Sequence, residues 1–519
     1  MNNDYSGPQY GQNVAVQAVQ PNENYSQCTN AEAVKGNGAV FKKYGLLSLI
    51  FGILYTFCLY KNHSGITYPF FMLGALTILY FIRKKDGLSL LASKNGNKGL
   101  GLFYIVSLML LSIHKCLSGS GLLIVLDGIA IFLLYYSFVI NLYLDTTNWD
   151  IAAWFEGMLF TAMAPFSAFL NPLYDCADWF KNKNGNLTKE KKQTISAAII
   201  GAVCAVPMLI IVILLLSSAD AVFSRMMEKI YESIHLPDNV WDILWIAVTF
   251  VISAFLAYLV PYVLQAGEFK VKGEKHGNNN PVIAITFTGM MGFVYLVFCL
   301  IQFMFLFTKT MSLPAGYTYA KYAREGFYQL LAVCLINIVM VSVCTRAFRK
   351  SRVLTAILTV IAACTYIMIA SSTLRMLLYI KVYNLTFMRV FVLWFLAVLC
   401  FWLAFLMVDL FRERFPVFKA CMIVITVAYI GFIYTNPEYQ IAKYDLKAVE
   451  GGRVEQYQSV EDYIVNELST DAVPALVGHS KLLHRYELYL IDEERFDDIN
   501  HDSIRTFNLS NYRAKKIFK

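Results

Sequence analysis

From about residue 44 to 435, long apolar runs alternate with short polar gaps, and every second gap is rich in Lys and Arg. Roughly eleven runs are long enough to cross a bilayer: near 44–60, 66–82, 99–114, 121–144, 194–216, 241–265, 281–308, 327–345, 353–383, 387–410 and 417–435. About 30 Å of hydrocarbon takes ~20 helical residues at ~1.5 Å each. Barrel strands would be ~10 residues of alternating polarity, and these runs are continuous. The pattern therefore predicts an all-α polytopic membrane protein.

The basic gaps are 83–98, 181–192, 270–275, 346–352 and 412–419. They carry about twenty Lys and Arg, against about ten on the intervening side. Positive loops stay cytoplasmic. The expected topology is a multi-pass cell-membrane protein with its N-terminus cytoplasmic and its C-terminus extracytoplasmic. The stretch 149–172 is apolar and aromatic but contains Asp150, Glu156 and Pro165. If it crossed, every later loop would invert, so it reads as an interfacial or re-entrant helix.

Composition agrees. The chain is 57% hydrophobic and 15% charged, whereas soluble domains carry about 25% charge. The net charge of +8 reflects the cytoplasmic loops. No basic stripe interleaved with aromatics suggests nucleic acid. Eleven cysteines show no CxxC pair and mostly fall inside spans, which argues against a disulfide framework or structural zinc.

Residues 1–40 are polar and read as a disordered cytoplasmic segment. Residues 41–435 form the transmembrane domain. At 219–236, Val222, Met226, Ile230 and Ile234 recur every four residues, predicting an outer amphipathic helix. Residues 436–519 form a small α-rich extracytoplasmic domain, expected to dock on the outer loops because it is too small to bury much core alone. Within it, Ser459 with Asp462 resembles a capping box. Thr470 or Asp471 can cap a second helix, and a third runs through Leu482–Arg495.

The candidate functional residues are Asp127, Asp220, Arg324, Glu325 and Arg375. Asp127 is the clearest intramembrane charge, about seven residues from the outer end of its span, and such a group needs a partner or a cavity. Arg324 and Glu325 lie in a tyrosine-rich outer loop. They read either as interfacial pairing or as a pocket where Arg324 grips an anion and Glu325 acts as acid or base. Asp220 reads as a helix cap or as a partner for Arg324 or Arg375. Arg375 is explained by snorkelling or by membership of that constellation. Gln302 and Asn337 suit interhelical hydrogen bonds. No Walker loop, GxSxG, HExxH or metal-ligand spacing occurs, so no cofactor or metal is expected. The acidic tail run around Asp498 lacks the turn glycine and final glutamate of an EF-hand.

Four runs carry a resemblance: Ser217–Phe223 (SSADAVF), Tyr322–Phe327 (YAREGF), Asn436–Leu446 (NPEYQIAKYDL) and Glu467–Leu476 (ELSTDAVPAL). Over residues 40–519 the chain resembles an uncharacterised bacterial multi-pass membrane family, of the 4153/4173 domain-of-unknown-function type. Asp445 stands where that family's pattern has Asn. The resemblance implies a bacterial cell-membrane protein and transfers no catalytic residues.

Three functions remain open at this point. The first is a non-enzymatic envelope component (sensor, scaffold or assembly partner) working through its outer face. The second is a transporter or lipid flippase using intramembrane polar residues, and the third is a membrane enzyme acting on an envelope lipid or polymer. The expected partner is the lipid bilayer, with an envelope lipid, a polymer or another membrane protein left open, and no nucleic acid.

Overall fold

The computed structural model describes residues 38–92, 97–147, 149, 151–183, single residues between 201 and 226, 240–266, 277, 279–306, 319–412, 415–452, 457–492 and 504–518. Among these, nine helices are long and apolar enough to cross a membrane. They are α1 (Gly38–Leu59), α3 (Lys98–Leu117), α4 (Gly121–Tyr143), α7 (Val240–Ala266), α8 (Pro281–Leu306), α9 (Tyr319–Ala347), α10 (Arg352–Tyr383), α11 (Phe387–Phe411) and α12 (Val417–Tyr434). Large apolar side chains such as Phe57, Leu102, Phe132, Met290 and Leu300 face outward from them. Such a surface suits hydrocarbon, where helices satisfy their own backbone groups. The chain is an all-α polytopic membrane protein.

Two expected crossings are not among the nine. Helix α2 (Thr67–Lys85) has 19 residues but ends in Arg83, Lys84 and Lys85, which shortens its apolar stretch. The run at 194–216 falls largely outside the described residues, as do the 219–236 helix, residues 1–37 and the acidic run after Asp492. The 149–172 stretch holds α5 (Ile151–Ser167), whose apolar part, Ile151–Met163, is shorter than a crossing. Trp149 lies across α5 where Gly157 offers no side chain; a Cβ there would meet the indole at 2.4 Å.

The chain divides into two compact units, residues 1–41 with 170–216 and residues 42–169 with 217–519. In the first, the Gly38 amide donates to Asp178 Oδ2 at 3.0 Å on α6 (Asn171–Lys183). The second contains two hydrophobic cores. One joins α2, α3, α4 and α12 to the C-terminal segment, through Tyr104, Leu108, Leu123, Phe138, Ile464 and Leu476. The other joins α8, α9, α10 and α11, through Cys334, Leu358, Ile361 and Leu399.

The C-terminal segment comprises α13 (Pro437–Glu450), α14 (Tyr457–Glu467), a 3-10 helix (Thr470–Leu476), α15 (Ser480–Asp492), a 3-10 turn (Ile504–Thr506) and α16 (Leu509–Phe518). Asn436, in the left-handed region at φ 50°, caps α13 by accepting the Tyr439 amide. Two sequence expectations fail here. Ser459 is not a cap, because α14 already begins at Tyr457, and Asp462 instead pairs with Arg485 of α15. Neither Thr470 nor Asp471 caps the next element: Ser469 Oγ accepts the Asp471 amide, and both side chains turn to tertiary partners.

Candidate functional site

The turn Ser118–Ser120 closes a tight hairpin, so the last turn of α3 packs on the first turns of α4. That geometry brings His114 to Asp127, whose side chain is fully buried. His114 Nδ1 lies 2.6 Å from Asp127 Oδ2. Tyr429 of α12 donates its hydroxyl to Asp127 Oδ1 at 2.8 Å. Each carboxylate oxygen thus has a partner from a different helix, which offsets the penalty of placing an acid in hydrocarbon. Asp127 lies six residues into α4, about 9 Å below its start.

Lys115 adds a cation beside this cluster. Its ammonium sits 4.0 Å over the Tyr68 ring, within electrostatic reach of Asp127. The space exists because residue 128 is glycine; a Cβ there would lie 3.3 Å from Lys115 Nζ. The Tyr434 ring stands 5.5 Å from that of His114, and its hydroxyl donates to the Leu110 carbonyl. A buried acid, imidazole, phenol and ammonium can hold or exchange a proton, or lock three helices together.

The same hairpin is gripped from its open end. Asp471 accepts the Ser118 hydroxyl at 2.5 Å and the Gly119 amide at 2.8 Å. Asn508 donates to the Ser118 carbonyl at 2.7 Å. Gly119 has no room for a side chain, since a Cβ would meet Thr470 Oγ1 at 2.1 Å. Glu438, buried on α13, accepts the Ser469 amide at 2.7 Å and bonds Ser120. The α10–α11 turn is held alike: Leu385 N donates to Asp445 at 3.0 Å, and Phe387 N donates to the Tyr463 hydroxyl at 2.8 Å. Asn62, in the turn before α2, and Thr67, at its start, each donate to the Arg505 carbonyl at 3.2 Å, so the C-terminal segment docks on the 61–67, 118–120 and 384–387 turns at one end of the bundle.

Burial raises the Asp445 carboxyl to about 7, with the Leu385 amide and Arg389 opposing the shift. Burial also pushes Glu438 up, against its bonds to Ser120 and Ser469. Both carboxyls sit inside the docking interface.

The remaining candidates lie elsewhere. Arg375 does not snorkel. It is buried, donates to Gln302 Oε1 at 3.2 Å, and its Nη1 lies 2.1 Å from where a Cβ of Gly326 would stand. The missing side chain at Gly326 lets the guanidinium lie on the α9 backbone, so it need not reach for water. Ser371 donates to the same Gln302 oxygen at 3.0 Å, and Asn337 donates to Thr365 at 3.0 Å. Arg375 sits beside Met376 of the second core and Asp127 beside Leu123 and Leu126 of the first, and the two share no hydrogen-bond partner among those described. Asp220 is exposed, and its Oδ1 accepts the Val222 amide at 2.8 Å, as a helix cap does. Arg324 and Glu325 fall on the first turns of α9, and their side chains lie outside the described residues.

The family described as "Domain of unknown function (DUF4153)" matches residues 104–479. The chain belongs to the DUF4153 family. The matched region starts later and ends earlier than the 40–519 span of the sequence resemblance. It contains His114, Lys115, Asp127, Arg375, Tyr429, Glu438, Asp445 and Asp471, so the buried cluster and the Asp471 and Glu438 contacts on the hairpin lie in the DUF4153 region, while Asn508 lies outside it. Helices α1, α2, α15 and α16 lie outside it. No curated protein and no solved structure matches the chain. Among the described residues, no group of three or more His, Cys, Asp or Glu could hold a metal ion.

Sequence reasoning singled out Asp127 but missed His114 and Tyr429. One signal was available for His114. A three-residue turn between spans places the end of the first against the start of the second, and His114 and Asp127 flank that turn.

Proposed function

We propose that this DUF4153 protein is a non-enzymatic component of the bacterial cell envelope, a sensor or assembly partner. Its C-terminal segment is the working part, on the extracytoplasmic face. The observation that carries the reading is the double hold on one helix end. Asp471 grips Ser118 and Gly119 from above, and His114 and Lys115, one turn below, engage the buried Asp127 cluster. A partner that shifts the C-terminal segment would thus pull on buried charges. The excess of Lys and Arg in the opposite loops supports the outward orientation.

The test is complementation of a deletion strain. Loss of residues 436–519 should abolish rescue, and Glu325→Gln should leave it intact. Rescue by the truncated chain would contradict the reading, as would failure of a stably expressed Glu325→Gln protein.

The buried acid and imidazole also favour a second reading, a transporter or flippase using Asp127. It predicts uptake or lipid flipping in proteoliposomes that Asp127→Asn abolishes. Activity insensitive to that substitution would exclude it.

A further inference from the structure

Among the described residues, Lys61, Asn384 and Asn436 have positive φ without being glycine. Asn436, at φ 50° and ψ 73°, sits in the left-handed region that Asn adopts readily. Asn384 does not. It follows the last residue of α10 with φ 62° and ψ −172°. That combination is populated almost only by glycine, because a Cβ crowds the backbone there, and other residues stay in it only where their surroundings over-determine it.

The surroundings are visible. The ψ angle of Asn384 sets the orientation of the Asn384–Leu385 peptide plane, and that plane is held at both edges. On the oxygen edge, Arg389 of α11 donates from Nη1 to the Asn384 carbonyl, and also to the Tyr383 carbonyl at 2.6 Å. On the other edge, the Leu385 amide donates to Asp445 Oδ1 at 3.0 Å. Arg389 lies within electrostatic reach of Asp445, so the two holders steady each other. Just beyond, the Phe387 amide donates to the Tyr463 hydroxyl at 2.8 Å. Asp445 belongs to α13 and Tyr463 to α14. One edge of the strained peptide is thus held by the C-terminal segment. Turning the plane by roughly half a revolution would bring the ψ of Asn384 towards zero, beside the left-handed region, and would break both holds.

We propose that the Asn384–Leu385 peptide is a two-state switch, held in its strained orientation while Asp445 is docked and flipping to a relaxed one when the C-terminal segment lifts. The flip withdraws the Leu385 amide from Asp445 and the Asn384 carbonyl from Arg389, which loosens the end of α10. That helix carries Ser371 and Arg375, both bonded to Gln302 of α8. Movement of the segment then reaches the second core as well as the Asp127 cluster. The switch presupposes that the segment is the moving part, and adds the route by which its position is passed on.

The experiment uses the full chain in nanodiscs, with the thermal unfolding midpoint and the rate of protease cleavage in the C-terminal segment as readouts. Asn384→Gly removes the strain. Its midpoint should rise by about 2 °C, and cleavage should slow about fivefold because docking no longer strains the turn. In an Asp445→Ala background the peptide is already free to flip, so adding Asn384→Gly should gain little. Arg389→Gln, which releases the other edge, completes the same cycle where Asp445→Ala does not fold.

An unchanged or lowered midpoint in Asn384→Gly would show that the turn stores no strain and would overturn the proposal. An equal gain with and without the holding side chain would place the strain outside the control of the segment and overturn it too. Either result leaves rescue by the chain lacking residues 436–519 as the separate test of whether the segment is the working part.

Discussion

Asp471 accepts the Ser118 hydroxyl at 2.5 Å, so a carboxylate from the C-terminal segment closes the turn between two membrane-spanning helices. Its second oxygen takes the Gly119 amide; the first contact is buried and the second part-buried. Hydrogen bonds to a charged acceptor away from water are worth about 1.5–3 kcal/mol each. Replacing Asp471 leaves the Ser118 hydroxyl and the Gly119 amide unsatisfied at once. Asp471→Ala should destabilise the protein by about 2–3 kcal/mol and expose the C-terminal segment to protease. Limited proteolysis in lipid nanodiscs checks this, and cleavage at the wild-type rate would refute it.

Gly119→Ala attacks the same contact without removing a charge. The added methyl would collide with Thr470 Oγ1, so that hydroxyl must swing away from Ser510 and Asn511 or the turn must shift. A cost of about 1–3 kcal/mol is expected, typical of overpacking. Gly121→Ala is the control, because nothing lies within 4 Å of its Cβ position. Thermal unfolding of both variants should show a lowered midpoint for the first alone.

The Asp127 cluster separates structure from function. Asp127→Ala strands His114 and Tyr429 and should cost about 2–3 kcal/mol. Converting the acid and its two hydrogen-bond partners to apolar groups, as His114→Leu with Asp127→Leu and Tyr429→Phe, removes both donors that face Asp127 and leaves Lys115 over the Tyr68 ring. That triple variant should recover most of the lost stability, since apolar replacement of a buried polar network is often near neutral. If the cluster carries function, the triple variant is stable yet fails to rescue a deletion strain. Full rescue would reduce the cluster to a helix clamp.

Docking of the C-terminal segment should depend on pH. Asp445 is raised from 3.8 to about 7, so the folded form holds its proton where the unfolded form has lost it. Stability from this group is fully present below about pH 4 and is lost as pH rises through about 7. Glu438, also raised, contributes with the same sign. Protease resistance of the segment should therefore weaken between about pH 4 and pH 7. Asp445→Asn cannot titrate and should flatten most of that dependence. A steeper loss of resistance at low pH than at high pH would contradict the assignment.

The apolar periodicity made most of the bundle readable, because a span must be long, apolar and internally hydrogen-bonded. The hairpin at Ser118–Ser120 was legible for the same reason. What escaped depends on contacts between distant parts of the chain. Tyr429 lies 302 residues from Asp127, and no local pattern links them. Arg375 looked like a snorkelling residue because its depth was visible, whereas the gap left for it at Gly326 on another helix was not. Ser459, Thr470 and Asp471 looked like caps by residue type. Tertiary packing starts one helix earlier and turns the other two side chains onto α16 and the hairpin.

The C-terminal segment and the buried cluster hold the same helix end, so loosening one should loosen the other. Hydrogen exchange of the full chain in nanodiscs, wild type against Asp471→Ala, tests it most directly. Faster exchange is predicted at residues 469–473, at 118–120, and around His114 and Asp127 together. Faster exchange confined to the C-terminal segment, with residues 112–128 unchanged, would show the two to be independent.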